Sequence, residues 1–172
     1  MIKDPQFQNT IFTDRLKLGE LTVDDHDFIR SLVNSKGWLE NIGDRNVHSE
    51  EDAIAYINKI LAIEDLFYWV VRMKDDNTPV GIISFLKRNY LEHFDIGFAF
   101  LPEFNGKGFA YEASNAALIM LSKIPAFKII LATTKVSNQR SIRLLMKLEF
   151  RFEQEVEVDN EKLHVFTNSI AT

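Results

Sequence analysis

The chain has 172 residues, a net charge of −5 and no cysteine. That length fits one domain with its own hydrophobic core, so we expect a single domain over residues 1–172. The lack of cysteine excludes disulfides, thiolate metal sites and a cysteine nucleophile. The four histidines show no metal-ligand spacing, so no metal site is expected.

The acidic balance makes nucleic acid an unfavourable partner and favours cationic partners, amines among them. No apolar run reaches the length that spans a bilayer, and the N-terminus carries no charged-then-apolar signal pattern. We therefore expect a cytoplasmic protein that does not bind a membrane.

Hydrophobic periodicity predicts the secondary structure in chain order. Residues 11–21 alternate as a strand, 24–33 form a helix, 35–47 form a loop or a short helical turn, and 49–63 form a second helix. Strands follow at 67–73, 80–87 and 92–101, then a helix at 109–121, a strand at 127–134 and a helix at 138–148. Residues 150–158 and 162–167 predict a closing hairpin.

The predicted order is β-α-α-β-β-β-α-β-α-β-β. This order indicates an α/β fold with a mixed sheet of about seven strands flanked by helices. The strand-helix-strand unit over residues 92–134 predicts a parallel pair with a right-handed crossover.

A glycine-rich turn joins the strand at 92–101 to the next helix. It reads Pro-Glu-Phe-Asn-Gly-Lys-Gly-Phe-Ala-Tyr-Glu-Ala over residues 102–113. Gly106 and Gly108 let the backbone approach a ligand, and the helix start offers unpaired N–H groups and a positive dipole end. This arrangement predicts a site for a phosphate or pyrophosphate. It lacks the hydroxyl that follows Lys in a Walker loop, and Tyr111 replaces the third small residue of a dinucleotide fingerprint.

A second motif follows the strand at 127–134. It reads Asn-Gln-Arg-Ser-Ile-Arg-Leu-Leu-Met-Lys-Leu-Glu-Phe over residues 138–150. The two motifs together, in this order, resemble the Gcn5-related N-acetyltransferase family and its RimJ/RimL-like branch. The branch pattern is Pro-x-aromatic-x-Gly-x-Gly-aromatic-Ala-x-Glu-Ala, then Asn-x-x-Ser, then Leu-Gly-Phe. The resemblance extends to residues 14–18, which match the opening strand, and so covers the domain.

The sequence departs from the family pattern at two positions. Asn105 stands where Gln or Arg is common, which implies a weaker pyrophosphate contact. Glu149 replaces the glycine of Leu-Gly-Phe, so the helix that ends there is expected to lose its easy left-handed cap.

The resemblance implies that acetyl-CoA is the cosubstrate. Two strands would splay apart, and pantetheine would lie between them against the backbone of Phe98, Ala99 and Phe100. The turn would hold the pyrophosphate, and the family pattern also assigns Asn138 to the cofactor. Capping of the helix is the alternative role for Asn138, and the cofactor assignment is favoured. The residues assigned to the pyrophosphate are Asn105, Gly106, Lys107, Gly108, Phe109 and Ala110.

Acetyl transfer to an amine requires a base for the amine proton and a donor for the departing sulfur. Asp95 is the best-placed acid, because relatives often carry an acidic residue on this strand. Glu92 and His93 compete with it, and the alternative for all three is a solvated strand start. Ser141 lies where the thiol is expected and is the candidate that hydrogen-bonds the thiolate.

The acceptor is expected to be a primary amine, either a peptide N-terminus or a small molecule. Trp38, Asp44 and Arg45 in the segment 35–47 are the candidate acceptor-binding residues. A core role for Trp38 and an Asp44–Arg45 pair are the simpler alternatives. We expect a monomer or a homodimer. A non-catalytic acyl-CoA-binding module and a purely structural domain with a fortuitous turn remain the other hypotheses.

Overall fold

A computed structural model of the protein describes residues 10–169, so positions 1–9 and 170–172 of the predicted domain lie outside it. The strands are β1 Ile11–Phe12, β2 Leu16–Glu20, β3 Leu66–Met73, β4 Pro79–Lys87, β5 Phe94–Phe100, β6 Ile129–Lys135, β7 Arg151–Val158 and β8 Glu161–Ser169. The helices are α1 His26–Val33, α2 Lys36–Asn41, α3 Glu50–Leu61, α4 Phe109–Ser122 and α5 Gln139–Lys147. In the described part of the chain, no helix is both long and apolar enough to cross a bilayer.

The predicted mixed α/β architecture is confirmed, with eight strands in the order β1-β2-β3-β4-β5-β6-β8-β7. The extra strand arises because residues 11–21 do not form one strand. The backbone N–H of Thr13 donates to the Leu16 carbonyl at 2.9 Å, and the Leu16 N–H donates to the Thr13 hydroxyl at 2.9 Å. These bonds turn the chain back, so that β1 pairs antiparallel with β2.

Two apolar cores cover the two faces of the sheet. Alternate strand residues point to opposite faces, so Trp69 and Val71 pack on one side while Val70 packs on the other. The first core includes Phe109 and Leu145 and therefore lies under α4 and α5. The second lies under α1, α2 and α3. The middle of the sheet thus lies between two helical layers, while β7 is mostly exposed.

Strands β5 and β6 form the parallel pair that the sequence predicts, but they meet at one point only. The pairing has a single register position, Asp95 opposite Leu131. The other edge of β5 pairs with β4 along its whole length, from Phe94 to Phe100. Beyond Asp95, the edge of β5 that faces β6 therefore has no strand partner, and the sheet opens into a gap.

The helix α5 keeps its left-handed cap, although the Leu-Glu-Phe sequence was expected to lose it. Glu149 itself takes the left-handed conformation, with φ of 66°. Its N–H donates to the Met146 carbonyl and the Phe150 N–H donates to the Leu145 carbonyl, each at 3.0 Å. This pair of bonds is the Schellman arrangement that usually has glycine at its left-handed residue. The cap is retained with a residue that is strained there.

Candidate active site

One cavity joins the glycine turn, the gap between β5 and β6, and the face of the sheet under α2 and α3. Its volume is about 760 Å³. The glycine turn lines one end, through Gly106, Gly108 and Ala110. Trp38 and Arg45 line the other end, and Asp95 lies between the two. The cavity therefore brings both predicted motifs and the segment 35–47 to one place.

The glycine turn has the geometry expected for an anion site. Gly106 and Gly108 have φ of 75° and 83°, a region that favours glycine. The first hydrogen bond of α4 runs from the Glu112 N–H to the Gly108 carbonyl at 3.0 Å. The backbone N–H groups of residues 108–111 therefore have no partner within the helix. Donors at a helix start, next to a cavity, can bind a phosphate oxygen.

An ion pair braces this turn from the N-terminal side of the chain. The Arg15 Nε donates to the Glu112 carboxylate at 2.7 Å, and the Arg15 Nη1 donates to the Lys107 carbonyl at 3.1 Å. The Thr13 hydroxyl donates to the same carboxylate at 2.6 Å. The guanidinium lies 4.5 Å from the centre of the Phe109 ring. Sequence reasoning missed this brace, since 97 residues separate Arg15 from Glu112.

The remaining residues of the turn differ in whether they line the cavity. Asn105 and Phe109 line the cavity. Lys107 does not, and its ammonium lies 5.4 Å from the centre of the Phe104 ring. The Lys107 ammonium therefore lies over a ring that itself lines the cavity.

The unpaired edge of β5 lies along the middle of the cavity. Phe98, Ala99 and Phe100, whose backbone is predicted to bind pantetheine, all line it. Phe98 and Phe100 pack on the core under α4, whereas Ala99 faces the core under α3. The side chains thus build the two cores while the backbone edge faces the gap.

Asn138 and Ser141 line the cavity at the start of α5. The Asn138 side-chain oxygen accepts the Ser141 N–H at 3.1 Å, so Asn138 caps this helix. This bond uses one lone pair of the amide oxygen and leaves the amide nitrogen free of the cap. Ser141 is buried, with 9% of its surface exposed.

Asp95 lies at the bottom of the gap, where β5 and β6 diverge. Its side chain is 1% exposed. The Arg88 Nε donates to one carboxylate oxygen at 2.6 Å, and the Thr133 hydroxyl donates to the other at 3.2 Å. Burial raises the pKa of Asp95 above its ordinary value, and Arg88 and Thr133 offset only part of that effect. A carboxyl with a raised pKa suits proton transfer.

The two residues that compete with Asp95 lie away from the cavity. Glu92 is exposed and His93 is half-buried, and neither lines the cavity. The Glu92 backbone carbonyl accepts a hydrogen bond from the Lys87 ammonium. The geometry therefore favours Asp95 over Glu92 and His93.

The three candidate acceptor residues have different surroundings. Trp38 is a core residue, 6% exposed, that also lines the cavity, and its indole N–H donates to the Gly43 carbonyl at 3.1 Å. Arg45 lines the cavity. Asp44 does not line it, and its carboxylate accepts the Asn46 N–H at 2.7 Å. No ion pair joins Asp44 to Arg45.

Tyr68 and Ser84 line the cavity but were not predicted from the sequence. Tyr68 and Ser84 lie opposite each other on β3 and β4, and Ser84 lies opposite Gly97 on β5. This row crosses the face under α3 and reaches the gap. A Cβ on Gly97 would lie 2.7 Å from the Ser84 hydroxyl oxygen, so only glycine leaves room for Ser84 there. Strand alternation could have placed Tyr68 on this face, but the pairing register is not readable from one strand.

Comparison with known proteins agrees with this geometry. The family described as Acetyltransferase (GNAT) domain matches residues 15–151. The uncharacterized N-acetyltransferase YnaD of Bacillus subtilis (strain 168) is 29% identical over 143 residues, covering 83% of each chain.

Solved structures share the fold. An acetyltransferase (GNAT family) from Bacillus anthracis superposes with a TM-score of 0.79 at 24% identity, covering 94% of this chain and 98% of that one. RimL, a ribosomal L7/L12 alpha-N-protein acetyltransferase in complex with coenzyme A, gives 0.82 at 16% identity with the same coverage of each chain. The chain belongs to the GNAT family and is an acetyltransferase.

Proposed function

We propose that the enzyme acetylates a primary amine, either a peptide N-terminus or a small molecule, by direct attack on the thioester. The observation that carries this proposal is the gap at which β5 and β6 part after a single paired position. It supplies an unpaired backbone edge that ends at a buried carboxyl. The absence of cysteine agrees with a reaction that has no thioester intermediate on the enzyme.

The donor would lie along the gap, with its pyrophosphate at the glycine turn. We assign the pyrophosphate to the backbone N–H groups of residues 106–110 and to the amide group of Asn105, and we assign Asn138 to the cofactor arm. The backbone of Phe98, Ala99 and Phe100 would hold the pantetheine arm. Acetyl-CoA supplies the acetyl group to this site. The paired motifs also support a place in the RimJ/RimL-like branch.

Two side chains would assist the reaction, one by accepting a proton and one by donating a hydrogen bond. Asp95 is proposed to take the proton of the amine, because its raised pKa and its place at the end of the gap suit a general base. Ser141 is proposed to donate a hydrogen bond to the sulfur as the carbon–sulfur bond breaks. Trp38 and Arg45 would contact the acceptor at the far end of the cavity, and Asp44 would act only through the loop that carries Arg45.

Turnover of labelled acetyl-CoA with a panel of amines tests the proposal. Asp95→Asn should lower kcat by about 100-fold or more, because a positioned base contributes at least that much, while affinity for CoA stays unchanged. Glu92→Gln is the matched control, since Glu92 is acidic, close in sequence and outside the cavity. A loss of rate in Glu92→Gln with full activity in Asp95→Asn would contradict the assignment.

The same experiment separates an enzyme from an acyl-CoA-binding module. A module would bind CoA with normal affinity yet acetylate nothing in the panel, with or without Asp95. Acetylation of any amine that depends on Asp95 supports the proposed reaction.

A further inference from the structure

The end of the cavity under α3 carries a basic cluster that the proposed cofactor site does not use. The Arg45 cluster consists of Arg45, Tyr56, Lys59 and Tyr68, all of which line the cavity. Tyr56 and Lys59 are three residues apart on α3 and so share one face of that helix. Arg45 lies close enough to both tyrosine hydroxyls for its charge to lower their pKa, although burial outweighs this and raises each.

The cations of this cluster have no carboxylate partner among residues 10–169. No ion pair there includes Arg45 or Lys59. The charged residues that line the whole cavity are basic apart from Asp95, which already binds Arg88 at 2.6 Å. An arginine and a lysine without counter-ions, facing a concave site, attract an anion.

The unpaired Tyr68 hydroxyl is a second indication that a ligand binds at the same place. Its oxygen is buried and has no hydrogen-bond partner within the described residues. Leaving a buried polar group unpaired is costly, so such groups in native proteins usually have a partner. Burial keeps this phenol protonated because it raises the pKa well above the ordinary value. Tyr68 therefore offers a neutral donor beside Arg45, suited to an anionic oxygen.

The register of the sheet sets the distance from this cluster to the gap. Tyr68, Ser84 and Gly97 lie opposite one another on β3, β4 and β5. Neighbouring strands are about 4.8 Å apart, so two steps separate the backbone of Tyr68 from that of Gly97 at the gap by roughly 10 Å. Asp95 lies two residues from Gly97 on the same face of β5.

We propose that the acceptor is an amine that also carries an anionic group, a carboxylate or a phosphate, roughly 10 Å from the reacting nitrogen. The anionic group binds Arg45, Lys59, Tyr56 and Tyr68, while the amine lies near Asp95. This inference rests on the proposed acetyl transfer. It restricts the acceptor from primary amines in general to amines that carry an anionic group. It also reverses the expectation drawn from the net charge of −5, because the local charge of the cavity and not the total decides which ligand enters.

Binding of matched probes to the protein saturated with CoA tests the inference without turnover. Triglycine is about 10 Å long when extended, and triglycinamide differs from it only in lacking the terminal negative charge. The phosphate pair is 6-aminohexyl phosphate and 6-aminohexanol, and spermidine serves as the polycation. By calorimetry, we expect the charged member of at least one pair to bind about tenfold more tightly than its uncharged twin. The pair that shows the preference identifies the anion as carboxylate or phosphate.

Arg45→Gln should reduce that preference to about twofold or less. Arg143→Gln is the matched control, because Arg143 is exposed on α5 and does not line the cavity. Lys59→Gln should weaken the preference in the same direction and provides a second variant. Equal binding of both members of each pair, tighter binding of spermidine, or an unchanged preference in Arg45→Gln would overturn the inference.

Turnover with the same compounds keeps the two proposals distinguishable. If triglycine binds with the expected preference but no amine is acetylated, the proposed reaction fails and the anion site stands. If uncharged amines and spermidine are acetylated as efficiently as the anionic probes, the reaction stands and the anion site fails.

Discussion

The buried carboxyl of Asp95 shows how single residues combine structure and chemistry at this site. Arg88 and Thr133 hold the carboxylate where β5 leaves β6. A buried charge without such partners would be strongly destabilising, whereas here the partners offset much of the cost of burial. The remaining effect of burial raises the pKa of Asp95. The arrangement that joins β5, β6 and the segment after β4 therefore also prepares a proton acceptor.

Ser141 gives a second prediction at the level of one residue. Ser141→Ala should lower kcat by about tenfold or more, because it removes a hydrogen-bond donor aimed at the developing thiolate, while affinity for CoA stays the same. Steady-state kinetics and calorimetry would measure both quantities. Ser137→Ala is the control, as Ser137 is exposed just before the same helix. A loss of CoA affinity with unchanged kcat would instead assign Ser141 to cofactor binding.

Motif residues could be placed from the sequence, but their partners could not. Gly106, Gly108 and Asn138 have local signals, because turns and helix starts depend on neighbouring residues. Tyr68 and Thr133 have no local signal for their partners, since each reaches the cavity through strand pairing between distant segments. The acceptor end of the site was therefore predicted less completely than the cofactor end.

At the level of elements, the cap of α5 persists although glutamate replaces glycine. Glu149→Gly should stabilise the protein by roughly 1 kcal/mol, because a side chain at a left-handed φ is strained. Urea unfolding would measure the change. Glu149→Ala is the control and should give no such gain, because alanine keeps the Cβ that causes the strain. Equal stabilisation by alanine would show that the charge of Glu149, and not its conformation, sets the cost.

The brace between Arg15 and Glu112 links the first hairpin to the start of α4. We expect Glu112→Gln to weaken CoA binding about fivefold, since an amide replaces the charged partner of Arg15 and the glycine turn loses support. Calorimetric titration with CoA checks this. Glu103→Gln is the control, because Glu103 is exposed in the same segment and has no ion pair among the described residues. Unchanged affinity in Glu112→Gln would rule out a role of the brace in cofactor binding.

At the level of the whole molecule, the Glu112 carboxylate makes the stability of the folded protein sensitive to acid. Partial burial pushes the pKa of Glu112 upward, but the hydrogen bonds from Thr13 and Arg15 outweigh it, so the pKa lies below the ordinary 4.5. A lowered pKa stabilises the folded state above the unfolded pKa, and this contribution is lost as pH falls through the folded value. The stability difference between wild type and Glu112→Gln should therefore be full at pH 7 and shrink on acidification below about 4.5. A difference that is constant from pH 7 to pH 3 in urea unfolding would contradict this linkage.

The whole fold was largely predictable because its elements follow strong hydrophobic periods. The strands at 67–73 and 80–87 and the helix at 109–121 agree closely with β3, β4 and α4. The main error was the single strand at 11–21. The alternating pattern continues through the turn at Thr13, where a side chain replaces the backbone as hydrogen-bond acceptor. Such a turn without glycine or proline carries no strong sequence signal.

The most direct test of the account is an experimental structure of the protein with CoA. We expect the pyrophosphate within hydrogen-bond distance of the backbone N–H groups of residues 106–110, the pantetheine arm along β5 from Phe98 to Phe100, and the sulfur near Ser141 and Asp95. CoA bound outside the gap between β5 and β6, or closure of that gap by continued strand pairing, would contradict the central claim.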